Sequence, residues 1–397
     1  MRLPAGFVAS GVRSGVRKSR PDLALIVCEK GATAAALFTR NRFPAAPVVL
    51  SRAALRESGG RVQAAVINAG CANAITGRAG AAAARRVQRR AAELLHCPPE
   101  RVFLASTGVI GVVLPDARIR MALPAAVARL SAGGLDAASH AILTTDVGPK
   151  VAAASFQAGG RRRRVVGFAK GAGMIHPDMA TMLAFVLTDA AAAPGYLKAA
   201  LRRAADETFH AISVDGDTST NDTVLLLASG AADAADAAAL EEGGPGSAEF
   251  EGALTRVCSE LAWRIVRDGE GATRVMEVTI EGAASRRDAK LAANAVATSP
   301  LVKTALHGGD PNWGRILAAV GRSGARVAPA RARLAVNGLC LVEGGAPAAY
   351  RERDAARLFA RERVPITVHL GAGTASARVL SSDLGHDYVS LNADYRS

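Results

Sequence analysis

A chain of 397 residues that is 50% hydrophobic carries more apolar mass than one ordinary core needs, so two domains or one large layered unit is expected. Aromatic residues are only 4% of it, which leaves packing to small and branched side chains, as an α/β protein allows. The formal charge of +14 favours anionic partners, but the arginines are scattered along patterns such as "AAAARRVQRRAAELL", only "RRRR" at 161–164 is compact, and no aromatic interleaving accompanies them; no nucleic-acid partner is expected.

The opening "MRLPAGFVASGVRSGVRKSR" is basic without an apolar segment, and Pro4, Gly6, Gly11 and Gly15 interrupt any amphipathic targeting helix. No apolar run approaches the roughly 18 residues of a membrane span, so the expectation is a cytoplasmic protein with no membrane partner. From 22 to 39, "DLALIVCEKGATAAALFT" predicts two short strands around a Glu-Lys-Gly turn. A strand is expected at 61–68, then the loop "NAGCANAITG", then a helix over 78–95 that Pro98 and Pro99 end. A strand at 101–105 empties into Ser106, Thr107 and Gly108, and Pro115 opens the next helix. In "HAILTTDVGPK", Thr144, Thr145 and Asp146 stop a further apolar segment.

Residues 151–170 predict a strand pair around "AGGRRRR", and "TMLAFVLTDA" from Thr181 is apolar enough for a strand buried on both faces. A helix opening at Pro194, the loop "DGDTSTND" and a central strand "TVLLLASG" follow. The span 231–248 is expected as an exposed irregular insertion or a helix cap, 248–267 as a long helix, "DGEGATRVMEVTI" as loop plus strand, and 286–297 and 300–306 as helices. The remainder alternates strands with a short helix. The five cysteines, Cys28, Cys71, Cys97, Cys258 and Cys340, are widely spaced without a CxxC, which predicts mostly buried thiols rather than a disulfide or zinc framework.

Chemistry concentrates in "GFAKGAGMIHPDMATMLAF". A threonine hydroxyl is a poor nucleophile unless a base lies beside it. Cleavage of the Ala180–Thr181 bond would create that base, because the freed α-amine titrates near ~8 and sits on the same residue. Thr107 and Gly108 can offer a hydroxyl and an N–H to a developing oxyanion. Lys170 can anchor a carboxylate, and Glu270 in "DGEGAT" can meet a cationic amino group. The carboxylates Asp215, Asp217 and Asp222 begin like a calcium loop, but Thr220 stands where that pattern requires glycine. They are therefore expected to cap turns and brace strands near a site rather than hold a metal. His176 is read as a turn histidine beside Pro177.

Taken together, "AKGAGMIHPDMATMLAF", "NAGCANAITG", "STGVIG", "LTTD", "VDGDTSTNDTV", "DGEGAT", "HGGDPNWGRI" and the terminal "NADYRS" closely resemble the signatures of the arginine-biosynthesis ornithine acetyltransferase, or glutamate N-acetyltransferase, family, in the family's order. The resemblance implies a layered αββα fold of the N-terminal-nucleophile-like kind with additional C-terminal α/β structure. It implies self-cleavage between Ala180 and Thr181 into an α chain, 1–180, and a β chain, 181–397, with Thr181 as nucleophile and Thr107 and Gly108 as the oxyanion hole. Thr144, Lys170, Thr181, Glu270, Asn392 and Ser397 match the substrate-contacting positions; Ser397 stands where threonine is also known, with its hydroxyl retained. The implied reaction moves acetyl from N-acetyl-L-ornithine to L-glutamate without a cofactor, in a dimer of αβ pairs or a higher assembly. A bifunctional form would also take acetyl-CoA as substrate. A self-cleaving amidase or aminopeptidase on a similar scaffold, and a basic nucleic-acid-binding module, are the rival classes.

Overall fold

The computed structural model describes residues 1–176, 182–232 and 239–394. Its first part runs β1 (Val8–Val12), β2 (Leu23–Phe38), α1 (Ala46–Glu57), β3 (Arg61–Cys71), α2 (Gly77–Leu94), β4 (Val102–Val109), α3 (Asp116–Ala128), α4 (Leu135–Ala141), β5 (Lys150–Ala158) and β6 (Arg161–Lys170). There follow β7 (Leu183–Thr188), α5 (Pro194–Glu207), β8 (Ile212–Ser213), β9 (Thr223–Ala228) and α6 (Ser247–Arg267). The C-terminal part is β10 (Val275–Ala283), α7 (Arg286–Ala297), α8 (Pro300–Gly308), α9 (Trp313–Gly321), β11 (Arg333–Val336), β12 (Leu339–Glu343), β13 (Ala346–Pro347), α10 (Glu352–Phe359), β14 (Arg363–His369), β15 (Ala375–Ser382) and α11 (His386–Asp394).

One sheet has the order β4-β3-β2-β9-β7-β6-β5, with β1 added on β2. Its shape is set by β2, which pairs with β3 through Leu23–Val27 and with β9 through Thr33–Phe38, and whose register with β3 slips between Val27 and Ala32. The two strands expected at 22–39 are therefore one. Gly31, at φ 73°, lets the chain bulge and change direction without reversing.

Side-chain alternation then separates three cores. Leu23, Leu25, Val66 and Leu104 face α2 and α3, while Val165, Val186, Val224 and Leu226 face α5 and α6. Between them, Ile26, Ile67 and Phe103 from one end of the sheet pack with Phe168, Phe185 and Leu225 from the other. Strands far apart in the sheet order thus meet face to face: the sheet is folded over at β2 into two leaves, and Phe38 stacks on Phe103 across the fold with centroids 5.8 Å apart. The layers are helix, leaf, leaf, helix, the αββα sandwich that was expected. Alanine supplies much of each interface, as the low aromatic content requires.

The second sheet, β13-β12-β11-β14-β10-β15-β8, forms the C-terminal α/β structure, with α7 and α9 packed over it around Val278, Ile280, Ala293 and Ile316. Strand β8, which lies in the chain between β7 and β9 of the first sheet, pairs with β15 and so joins the two sheets. Sequence-visible caps set the helices here: the Ser285 side chain accepts the Asp288 N–H at 3.1 Å, and Asn312 accepts the Arg315 N–H at 3.1 Å. Helices α1, α4, α9 and α11 add to the elements read from sequence. The strand expected at 101–105 runs on to Val109, so Thr107 and Gly108 are its last turns of backbone rather than a loop. All five cysteines are free, three of them buried. Among the described residues no helix is long and apolar enough to cross a membrane. Residues 233–238 of the expected insertion lie outside the described residues.

Candidate active site

Strand pairing brings the first group of residues to one edge. Lys170, the last residue of β6, lies opposite Leu183, the first of β7, which in turn lies opposite Thr223, the first of β9. One residue earlier on two of these strands, the Met182 N–H donates to Asp222 Oδ1 at 3.2 Å. Asp222 is 1% exposed. That burial pushes its carboxyl well above the usual carboxylate range, against the opposing pull of the Met182 N–H and the Lys170 ammonium.

Asn221 ties this edge to the other leaf. Its side-chain amide donates to the Ala72 carbonyl at 2.7 Å and to the Ser106 carbonyl at 2.8 Å. The Ser106 hydroxyl donates to Asn68 Oδ1 at 2.5 Å, which fixes the ends of β3 and β4 together. Thr107 and Gly108 come next on β4, beside Ala69 and Gly70 of β3. Gly108 has φ 127°, and a Cβ there would stand 2.3 Å from the Gly70 carbonyl carbon. Only glycine fits there, at a positive φ and with no room for a side chain, while the ladder with β3 continues to Val109.

A second group gathers on Asp146. Its Oδ2 accepts the Thr144 N–H at 3.0 Å and lies 3.7 Å from Lys170 Nζ. Its Oδ1 accepts the Gly171 N–H at 2.6 Å and bonds Lys150 Nζ at 2.7 Å. Lys150 also pairs with Asp268. Burial would raise the Asp146 carboxyl, but the two ammonium groups outweigh it and hold the carboxyl well below its ordinary range. Asp146 thus carries a fixed negative charge that sets the positions of Thr144 and Lys170.

Glycines 171 and 173 continue the chain past Lys170, and a Cβ at Gly173 would lie 2.4 Å from Glu270 Oε2. Glu270 is held there by its own N–H on the Ala172 carbonyl at 2.9 Å, and its carboxylate accepts from Asn392 Nδ2 of α11 at 2.9 Å. The "DGDTSTND" loop braces both flanks of the segment between β6 and β7. Asp215 accepts the N–H groups of Met174 at 2.5 Å and Ile175 at 2.9 Å, and Asp222 accepts that of Met182. These aspartates act as strand and turn braces, as expected.

The structure therefore brings Thr107, Gly108, Thr144, Lys170, Glu270 and Asn392 into one connected neighbourhood through Asn221, Asp222, Asp146 and the 171–173 turn. Ala180, Thr181 and Ser397 lie outside the described residues. Sequence reasoning missed Asp146 as the hub and Asn221 as the bridge; the apolar segment that Asp146 follows is not a strand but the end of α4, whereas Asn221 does stand just before the apolar run of β9.

A family model described as the ArgJ family matches residues 8–397. The arginine biosynthesis bifunctional protein ArgJ of Geobacter sulfurreducens is 48% identical over 394 residues, 99% of each chain. That of Thermus thermophilus is 47% identical over 396 residues, covering 100% of this chain and 99% of the relative. The crystal structure of the arginine biosynthesis bifunctional protein argJ from Bacillus halodurans matches with a TM-score of 0.51 at 40% identity, over 53% of this chain and 98% of that one. With a match running almost from end to end and the signature residues gathered around one edge of the sandwich, this chain belongs to the ArgJ family.

Proposed function

We propose that the protein is a glutamate N-acetyltransferase of arginine biosynthesis that moves acetyl from N-acetyl-L-ornithine to L-glutamate through an acetyl ester on Thr181. The observation that carries this reading is the meeting of three parts at one sheet edge. The oxyanion donors Thr107 and Gly108 are tied through Asn221 to the start of β7, where Met182 follows the nucleophile, and Lys170 closes the same edge.

Self-cleavage between Ala180 and Thr181 frees the amine that serves as base and gives the α chain, 1–180, and the β chain, 181–397. Thr181 Oγ then attacks the acetyl carbonyl, its proton passing to the amine. Thr107 and Gly108 stabilise the oxyanion, and collapse releases ornithine, which takes up the proton. Glutamate enters, its amine attacks the ester, and the same two donors serve the reverse collapse. Lys170 and Thr144 receive the α-carboxylate common to both substrates. Glu270, steadied by Asn392, meets the cationic side chain of ornithine, and Ser397 completes the contacts. The reading calls for no cofactor, and it expects the paired chains to assemble as a dimer of αβ pairs or larger. That the solved Bacillus halodurans chain corresponds to 53% of this one agrees with a protein that exists as two chains.

Intact-mass measurement tests the assignment: the wild type should give two fragments and Thr181→Ala one uncut chain without acetyl transfer. An equal cleavage pattern in both would remove Thr181 from the role. The word bifunctional in the relatives' names favours a second activity, acetylation of glutamate by acetyl-CoA. Product formation with acetyl-CoA in place of acetylornithine decides it, and water outcompeting glutamate for the acyl group would instead mark an amidase.

A further inference from the structure

Asp222 has more to offer than the brace described above. One carboxyl oxygen holds the Met182 N–H at 3.2 Å. The other, Oδ2, is buried and has no hydrogen-bond partner among the described residues. The Ser219 hydroxyl and the Lys170 ammonium face the same carboxyl, Ser219 without reaching hydrogen-bond geometry to that oxygen. A buried polar atom left unbonded destabilises the fold, so its presence calls for an explanation, of which a catalytic role is one. Covalent geometry says what lies within reach. The Met182 nitrogen is bonded to the carbonyl carbon of residue 181, so the α-nitrogen of that residue is only three bonds away from it.

We propose that Asp222 carries protons for Thr181, first giving one to the departing α-nitrogen during self-cleavage and afterwards fixing the freed amine beside the hydroxyl it must deprotonate. The inference rests on the assignment of Thr181 as nucleophile. In the cleavage step a bond forms from Thr181 Oγ to the Ala180 carbonyl carbon, and the bond from that carbon to the Thr181 nitrogen breaks. The neutral Asp222 carboxyl gives its proton to that nitrogen, and the carboxylate left behind takes the proton of the hydroxyl. Water then hydrolyses the ester, leaving the Ala180 carboxylate and the free threonine. Burial raises the carboxyl well above its usual range, which favours the protonated form that has a proton to give. On the other flank of the segment, Asp215 accepts the N–H groups of Met174 and Ile175.

The test compares full-length wild type, Asp222→Asn, Asp222→Glu and Thr181→Ala, following the loss of uncut chain by intact mass per folded fraction. Melting temperature, and kcat and KM of the processed enzyme, are measured alongside. Asn keeps an acceptor for the Met182 N–H but carries no exchangeable acid, so processing should slow by about 10²-fold, the scale of general acid–base assistance. The kcat should fall while KM for acetylornithine holds, the melting temperature should not drop, and Glu should recover part of the rate. Processing of Asp222→Asn at the wild-type rate, or rates that follow melting temperature rather than the presence of a carboxyl, would overturn the proposal. Failure of the underlying assignment shows separately, as cleavage in Thr181→Ala.

Discussion

Two buried aspartates at the same edge are pushed in opposite directions. Asp146 sits between two buried lysines and stays ionised, so its folded-state value is depressed. A depressed carboxylate contributes stability above its unfolded value near ~3.9 and loses it as pH falls. Asp146→Asn leaves two buried ammonium groups facing a neutral amide, and should lower stability by about 3 kcal/mol at neutral pH. Its melting temperature should also fall less steeply than the wild type's below about pH 4. Asp222 has the reverse sign: its raised carboxyl contributes fully below the unfolded value and loses that contribution as pH rises. Asp222→Asn should therefore gain more in melting temperature at pH 7 than near pH 4, and a uniform shift at both would contradict the buried neutral carboxyl.

The proposed oxyanion pair is a property of β4 as an element. The strand reading ended it at 105 because Ser106, Thr107 and Gly108 look like a turn; β3 alongside extends the ladder to Val109, and tertiary pairing overrides local preference. Gly108→Ala both forces a side chain into the Gly70 backbone and demands a φ that alanine avoids. It should lose about 10²-fold or more in kcat, as removal of one oxyanion donor does, with a lower melting temperature; normal turnover would take Gly108 out of the site. Elements with plain apolar runs, β7 and β9, were legible because every residue of each is buried. Helix α11 was not, since none of its residues is buried and no periodicity marks it. Asn392 was named only through the resemblance to the family's signature, and the structure sets its side chain on the Glu270 carboxylate. Asp146 was named only as the polar end of an apolar segment; its place as hub was not legible, because Lys170 and Gly171 reach it from the far end of the β5–β6 hairpin.

At the scale of the molecule, the proposed cut falls between two strands that remain paired. The α chain would end after β6 and the β chain begin at β7, and these are hydrogen-bonded neighbours from Val165 opposite Thr188 to Lys170 opposite Leu183. The two chains should co-elute under native conditions and part only in denaturant; separation without denaturant would contradict the shared sheet. The layered fold was legible from the alternation of strands and helices together with the resemblance. The folding of one sheet over itself was not, because the bulge in β2 looks like an ordinary tight turn until its partners on both sides are known.

That doubled-over sheet makes the enzyme sensitive to loosening as well as to melting. The proposed donors of β4 belong to one leaf and the start of β7 to the other, joined by Asn221 and by the stack of Phe38, which lies opposite Thr223 in the sheet, on Phe103. Gentle heat or dilute urea that lets the halves drift apart would misalign hydroxyl and carbonyl while helices and ladders persist. Turnover should vanish before far-ultraviolet ellipticity changes.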